Sequence, residues 1–175
     1  MINRDRFFAD IRPMFGGSML QVQVDVTNAL LDENLPDAHL AYILATAYGE
    51  AKMTPKRENM NYSAARIKQV WPSRPDAVQF ARKPEALANS VYGGRLGNRV
   101  GTNDGWIYRG GGIDQLTGRE NYRKVGIEND PDAILKPSVA VASIVHGMTT
   151  GRYTGKRMAD YDKAGGFDFV GARAI

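Results

Sequence analysis

The stretch DAHLAYILATAYGEA, residues 37–51, decides which fold the chain can adopt. A helix drawn through it carries apolar side chains on all sides, which is too apolar for a helix at a protein surface. Asp37 is a residue type that caps helix N-termini. The pattern therefore predicts a buried central helix from Ala38 to about Ala51, with Glu50 at its C-terminal end. Its candidate core residues are Leu40, Ala41, Ile43, Leu44, Ala45, Ala47 and Tyr48.

Helical patterns recur on both sides of this stretch. Further helices are predicted at about Asn3–Met14, from a cap at Ser18 through Leu35, from a cap at Ser63 through Trp71, and at Pro84–Tyr92, Gly118–Val125, Pro131–Leu135, Pro137–Thr150 and Gly155–Tyr161. Pro55 disfavours a helix through Lys52–Tyr62. The glycines and asparagines of Gly97–Gly112 predict a loop, with at most a short β-hairpin around Trp106–Tyr108. We therefore predict a mainly α-helical fold.

Length and composition limit the domain count and the chemistry. A chain of 175 residues with 43% hydrophobic residues can bury one core but is short for two domains, so residues 1–175 are predicted to form a single domain. The chain has no cysteine, which excludes disulfides, thiolate nucleophiles and Cys-ligated zinc. We expect His39 at the surface and His146 packed in a helix. Because the two histidines lack clustered acidic partners, neither a metal nor another cofactor is predicted.

The chain is basic, with a formal net charge of +4 and a pI near 9.4, and such a charge attracts polyanions. Its basic residues are dispersed and accompany no nucleic-acid-binding motif, so nucleic acid is not expected as a partner. An ordinary solvated surface and attraction to an acidic cell-wall polymer both remain open. We expect a monomer.

The first ten residues carry scattered charges where a secretory signal needs an apolar core. No apolar stretch approaches the roughly 20 residues of a membrane span. We therefore expect synthesis in the cytoplasm without membrane insertion. If the protein acts outside, another factor must release it.

Two carboxylates and an aromatic, glycine-rich turn suggest the chemistry. Glu50 and Glu58 lie eight positions apart, and WIYRGGGIDQ follows at residues 106–115. Cleavage of a glycosidic bond needs one carboxylic acid to protonate the leaving oxygen and a second carboxylate to activate water or stabilise the oxocarbenium-like centre. Aromatic faces and amides can hold the sugar. This combination is typical of a carbohydrate-cleaving site.

The surroundings of the two glutamates predict different roles. Tyr48 and Met53 flank Glu50, and we expect them to desolvate it partly, which disfavours the charged form as a general acid requires. Glu58 follows two basic residues in a polar loop, where it should stay ionised as a base that holds a water. From spacing alone, the alternative is that Glu50 is an exposed helix-end residue and that Glu58 pairs with Arg57 or Arg66.

Four strings, in order and in register along nearly all of the chain, resemble the chitinase-like lysozymes of glycoside hydrolase family 19, and within them phage and prophage endolysins. The strings are ATAYGE (45–50), RENMNYS (57–63), DGWIYRGGGIDQLTGRENY (104–122) and TGK (154–156). The resemblance implies a lysozyme-like, two-lobed helical domain with a cleft. It also implies hydrolysis with inversion, with Glu50 as the general acid and Glu58 as the base that activates water.

The same resemblance indicates residues that bind substrate. The turn with its glutamine matches Tyr108, Arg109 and Gln115 as substrate contacts, and Asn61 and Ser63 are plausible partners for the water or for an N-acetyl group. The remaining aromatic candidates are Tyr62, Trp106 and Tyr122. For Trp106, Tyr108, Tyr62 and Tyr122, packing in the core remains the alternative.

The resulting hypothesis is a peptidoglycan hydrolase of muramidase type, an endolysin that a holin releases to the cell wall and that cuts β-1,4 bonds of the glycan strand. A chitinase that cuts β-1,4-linked N-acetylglucosamine polymers is the alternative enzyme. A third hypothesis is a wall-binding relative with weakened activity, because Gly49 and Gly111 stand where the family usually has His and Arg, Asp114 replaces a usually apolar residue, and the chain stops at Ile175, where relatives continue.

Overall fold

Helices dominate the computed structural model, which describes residues 2–175. The α-helices are α1 (Arg4–Ile11), α2 (Gln21–Leu31), α3 (Asp37–Ala51), α4 (Ala64–Val70), α5 (Ala77–Phe80), α6 (Pro84–Tyr92), α7 (Asp104–Ile107), α8 (Arg119–Val125) and α9 (Pro137–Thr150). Short 3-10 helices cover Arg12–Phe15, Pro131–Leu135, Met158–Tyr161 and Gly171–Ala174. Within this described range, every helix is too short or too polar to cross a lipid bilayer.

The β-structure is a small antiparallel hairpin of β1 (Asp162–Lys163) and β2 (Gly166–Phe167). The predicted mainly α-helical fold with at most a small hairpin is therefore confirmed, and it is consistent with the lysozyme-like class. The predicted place of the hairpin is wrong, because Trp106 lies in helix α7 and Tyr108 ends that helix. The helix predicted at Gly155–Tyr161 is also shorter than expected and has 3-10 geometry from Met158.

Contacts divide the chain into two compact units that interleave along the sequence. Of the described chain, unit 1 contains residues 2–55, 112–114 and 134–175, and unit 2 contains residues 56–111 and 115–133. Each unit has its own hydrophobic cluster. The single catalytic domain expected from chain length stays a prediction.

Helix α3 supplies the centre of the unit 1 core. Leu40, Ile43 and Ala47 are buried and pack in one cluster with residues of α2 and α9, among them Val26, Leu30, Val141 and Ile144. Ala41 and Ala45 are exposed, so the expectation that α3 is buried on all sides is wrong. They line an apolar pocket of about 240 Å³ together with Phe7, Ile11, Met14, Phe15, Leu44, Tyr48 and Met53.

The C-terminal end of α3 is held by backbone and side-chain hydrogen bonds. Lys52 adopts a left-handed backbone conformation with φ of 52°, and its N–H donates to Tyr48 O at 2.9 Å. Gln23 of α2 donates from Nε2 to Lys52 O at 3.0 Å. The helix end therefore has satisfied carbonyls. The same Gln23 accepts from Leu20 N–H at the start of α2, so the predicted cap at Ser18 is wrong.

Unit 1 also contains buried polar groups. His39 is 7% exposed and forms a 2.8 Å hydrogen bond with Asp162, so its expected surface position is wrong. His146 lies in helix α9 but is exposed, so its expected packed position is wrong too. The carboxylate of Asp114 accepts hydrogen bonds from Ser143 Oγ, Arg152 Nη2 and Tyr153 Oη at 2.7–3.0 Å. These bonds fix the 112–114 segment within unit 1.

The unit 2 core forms where α4, α5 and α6 meet. Ile67, Ala77 and Leu87 are fully buried there, and the predicted Ser63 cap of α4 is confirmed by a hydrogen bond from Arg66 N–H to Ser63 Oγ. Helix α7 packs closely on α6. A Cβ at Gly105 would lie 2.7 Å from Ala88 O, so this close approach requires glycine.

Asp104 begins α7 and is the buried acceptor of a polar network. Its side chain is 1% exposed and pairs with Arg99 at 3.0 Å and Arg119 at 3.2 Å. Hydrogen bonds from Arg99 hold the pKa of Asp104 well below its usual range, against the opposing effect of burial. The network fixes the loop that leads into the aromatic turn.

We predict that Asp104→Asn lowers the free energy of unfolding by about 2–3 kcal/mol near neutral pH, because it leaves charged donors facing a neutral amide. Since the pKa of Asp104 is depressed in the folded state, its contribution is full above the unfolded pKa of about 3.9 and is lost as pH falls through the folded value. The difference from wild type in urea titrations should therefore be constant above about pH 5 and shrink progressively as the pH falls below about 4. Asp10→Asn, at an exposed surface pair, is the control and should change stability little. A wild-type stability for Asp104→Asn at pH 7 would contradict this reading.

We predict that Gly49→Ala stabilises the protein by about 0.5–1 kcal/mol, because glycine in a helix interior loses more backbone entropy than alanine. Gly49 lies inside α3, and an added Cβ would meet nothing within 4 Å. Thermal or urea unfolding measures the change. A decrease in stability would show that the last turn of α3 needs glycine for a reason other than space.

Candidate functional site

Glu50 lies in the last turn of α3 and belongs to unit 1. Its side chain is exposed. The expectation that Tyr48 and Met53 desolvate it is wrong. Tyr48 instead donates its hydroxyl to Met14 O, its ring packs on Phe15, and Met53 is buried in the unit 1 core. The local fold therefore positions Glu50 through the fixed end of α3 and leaves its carboxyl open to solvent.

Glu58 belongs to unit 2, and its backbone is bonded on both sides. Its N–H donates to Gly110 O at 2.8 Å, and its carbonyl accepts from Arg109 Nε at 3.3 Å. The irregular segment predicted from Pro55 is confirmed. These bonds join it to the glycine-rich turn that follows α7.

The carboxylate of Glu58 accepts a hydrogen bond from the hydroxyl of Tyr92 at 2.8 Å. Tyr92 is the last residue of α6, and its ring packs against the unit 2 core. Burial raises the pKa of Tyr92, and the carboxylate of Glu58 raises it further. Because its pKa is raised, Tyr92 stays a neutral hydroxyl donor at neutral pH.

The side chains of Glu58 and Gln115 both lie against Gly110. A Cβ at this position would lie 2.9 Å from Gln115 Oε1, 3.2 Å from Glu58 Cβ and 3.4 Å from Glu58 Oε2. Gln115 has a left-handed backbone with φ of 52°, which is costly for a residue other than glycine and is often found at functional sites. The absence of a side chain at Gly110 thus leaves room for the carboxylate of Glu58 and the amide of Gln115 against the same residue.

Arg109 and Trp106 form a stacked pair in unit 2. The guanidinium carbon of Arg109 lies 3.5 Å from the Trp106 ring centroid, and Arg109 Nη1 donates to Trp106 O at 2.7 Å. Burial lowers the pKa of Arg109, and the nearby charge of Arg57 lowers it further. One face of the Trp106 ring is therefore covered by a cation of the protein itself.

Tyr108 and Tyr122 are core residues of unit 2. Tyr108 is 6% exposed and Tyr122 is fully buried, and their rings pack edge to face at 5.4 Å. Arg57 donates from Nη1 to Tyr122 Oη at 2.5 Å and from Nη2 to Asp132 at 2.7 Å. Both tyrosines thus help to hold the turn and Arg57, and substrate contact by them stays a prediction.

The segment Asn61–Ser63 connects the Glu58 loop to α4. Asn61 is exposed, and Tyr62 packs on Trp71 with ring centroids 6.0 Å apart. Ser63 Oγ accepts the N–H of Arg66, so its first role is to cap α4. Their predicted contacts with water or substrate stay predictions.

The structure brings together Glu58, Arg109 and Gln115, and it places Trp106 against Arg109. Every predicted site residue except Glu50 belongs to unit 2. Sequence reasoning missed Tyr92 and the role of Gly110. Tyr92 is far from Glu58 in sequence and ends a helix that carries no chemical motif, so no local signal indicates the contact. Within residues 2–175, no group of three or more His, Cys, Asp or Glu side chains could hold a metal ion.

Comparison of the sequence with known proteins indicates which protein family the chain resembles. No protein-family model matches the chain. A "glycosyl hydrolase family 19 domain-containing protein" of Haemophilus influenzae is 44% identical over 71 residues, which cover 38% of this chain and 36% of the relative. The chain thus matches little more than a third of the length of this curated relative. The match supports a relationship with the glycoside hydrolases of family 19, and with it the glycosidase class.

Proposed function

We propose that this chain is a peptidoglycan hydrolase of muramidase type, which cleaves β-1,4 bonds of the bacterial cell-wall glycan with inversion. The observation that carries the proposal is the arrangement around Gly110, where a carboxylate held by Tyr92 lies beside the amide of Gln115. A fixed carboxylate next to an amide suits a base that holds a water beside a sugar. The family 19 relative supports the same class of chemistry.

In the proposed mechanism, Glu50 is the general acid and Glu58 the general base. Glu50 gives its proton to the glycosidic oxygen as the bond from that oxygen to the anomeric carbon breaks. Glu58 takes a proton from a water that attacks the opposite face of the same carbon, and the new sugar hydroxyl has the inverted configuration. Two products then dissociate. One carries the new hydroxyl at its anomeric carbon, and the other keeps the former glycosidic oxygen as a hydroxyl.

The exposure of Glu50 requires the substrate to complete the acid site. A carboxylic acid donates best when its environment disfavours the anion, and the side chain of Glu50 is exposed to solvent. A glycan that lies over the end of α3 would exclude this water and supply the missing desolvation. The proposal therefore expects Glu50 to act only on a bound polymer.

The net charge of +4 favours approach to an acidic wall polymer by long-range attraction. The proposal includes a monomeric enzyme that is made in the host cytoplasm and reaches the wall after a holin opens the membrane. No cofactor is required, because two carboxyl groups and a water supply the chemistry.

We predict that Glu50→Gln and Glu58→Gln each lower the release of muropeptides from sacculi by about 10²-fold or more, because each removes a proton-transfer group with little change of shape. Mass spectrometry of the digested sacculi measures the products and the cleaved bond. Glu85→Gln, at an exposed position in the first turn of α6, is the control and should retain activity.

The same assay separates the alternatives. Release of sugars from chitin oligomers without release of muropeptides would replace the substrate with chitin. Wild-type protein that sediments with sacculi but releases nothing would identify a wall-binding protein instead of an enzyme.

We predict that Gly110→Ala lowers the same activity by about 10-fold or more, because the added Cβ displaces Glu58 and Gln115, and small misplacements of catalytic groups cost large factors in rate. Gly165→Ala is the matched control, since a Cβ there meets nothing within 4 Å and the backbone is not left-handed. Initial rates on sacculi and thermal melting are measured for both variants. Full activity of a folded Gly110→Ala protein would show that this close approach has no role in turnover.

A further inference from the structure

Glu58 has a fixed backbone but few contacts to its side chain. Its N–H and carbonyl are both bonded to the turn at Arg109–Gly110. In residues 2–175, Tyr92 is the side chain that donates a hydrogen bond to its carboxylate, through Oε2. The direction of the carboxylate is therefore set in part by this hydroxyl and in part by its packing against Gly110.

The ring and the backbone of Tyr92 are themselves fixed by the fold. Its ring packs against the buried cluster that contains Met60, Leu87 and Val91. Its carbonyl accepts from Asn98 Nδ2 at 3.0 Å, which ties the end of α6 to the following loop. A hydroxyl on such a support keeps one geometry, as a positioning group requires.

Other charged and titratable groups also face this region. The charges of Arg57 and Arg109 lie near Glu58, but Arg57 is paired with Asp132 and Arg109 is stacked on Trp106. Tyr122 bonds Arg57 and not Glu58. Tyr62 lies close enough to Tyr92 to interact electrostatically with it. None of these groups replaces the direct bond from Tyr92 to the carboxylate.

We propose that Tyr92 is the positioning residue of the general base, and this inference rests on the proposed function. Its hydroxyl holds Oε2 of Glu58, so that Oε1 is left to receive the proton of the attacking water. A donor stabilises a carboxylate more than it stabilises the carboxylic acid, so loss of this hydroxyl is expected to change the pH dependence of turnover. Tyr92 itself gains and loses no proton in the reaction.

The test is Tyr92→Phe, which keeps the ring in the core and removes only the hydroxyl. On sacculi we expect kcat to fall by about 10-fold or more with KM within about 2-fold. The acidic limb of the pH profile of kcat/KM should move to higher pH. Tyr42→Phe is the matched control, because it removes a hydroxyl that donates to Ala172 O in unit 1. It should leave the pH profile unchanged.

A double mutant separates positioning from a general loss of structure. In the Glu58→Gln background, Tyr92→Phe should cause little further loss of kcat, because residues that act through one another are not additive. Equal losses in both backgrounds would overturn the inference. So would a uniform fall in rate at every pH with an unmoved acidic limb.

A measurement without turnover distinguishes this inference from the proposed function. Carbon-13 NMR follows the carboxyl signal of Glu58 against pH, assigned by its disappearance in Glu58→Gln. Its titration midpoint should move upward in Tyr92→Phe and stay in place in Tyr42→Phe. If the wild type cleaves neither sacculi nor chitin oligomers, the proposed function fails. The midpoint still decides whether Tyr92 controls Glu58, and an unmoved midpoint overturns that claim.

Discussion

The backbone hydrogen bond from Glu58 N–H to Gly110 O is the contact on which the arrangement of unit 2 depends. It joins the irregular segment after Pro55 to the glycine-rich turn, two parts of the chain that are distant in sequence. The two segments can approach closely enough for this bond because Gly110 has no side chain to hold them apart. The side chains of Glu58 and Gln115 both lie against Gly110, and Arg109 is within reach of the Glu58 carbonyl. A single close approach of backbone thus fixes a carboxylate, an amide and a guanidinium.

In unit 1, the corresponding constraint is the end of α3. The left-handed Lys52 stops the helix, and Gln23 satisfies its carbonyl from α2. This leaves Glu50 on a well-defined last turn. The side chain is exposed, so its position is defined mainly by the helix end that carries it. The two glutamates that the sequence places eight positions apart therefore have different kinds of support, one from a helix end and one from a network of side chains.

The sequence predicted the parts of the fold that depend on local signals. Pro84 and Pro137 begin helices as expected, and Ser63 caps α4. It did not predict that Trp106 lies in a helix, because α7 depends on Asp104 being bonded by Arg99 and on Gly105 packing against α6. For Glu50 it favoured partial desolvation and kept an exposed helix-end position as the alternative; the alternative is the one observed, since apolar neighbours in sequence can turn into the core and leave a glutamate in water. The Tyr92 contact joins the end of α6 to the irregular segment at Glu58 through tertiary packing, which no periodicity or motif encodes.

The different surroundings of the two glutamates agree with the chemistry that each would perform. The proposed base is already held in the free protein, because Tyr92 donates to its carboxylate and Arg109 donates to its carbonyl. An acid has to be protonated only while a leaving oxygen is beside it. Glu50 is exposed in the free protein, so under the proposed function a bound polymer has to cover it before it acts as the acid. Under this proposal, the acid Glu50 would work only with a bound glycan, whereas the base Glu58 would already be in position without one.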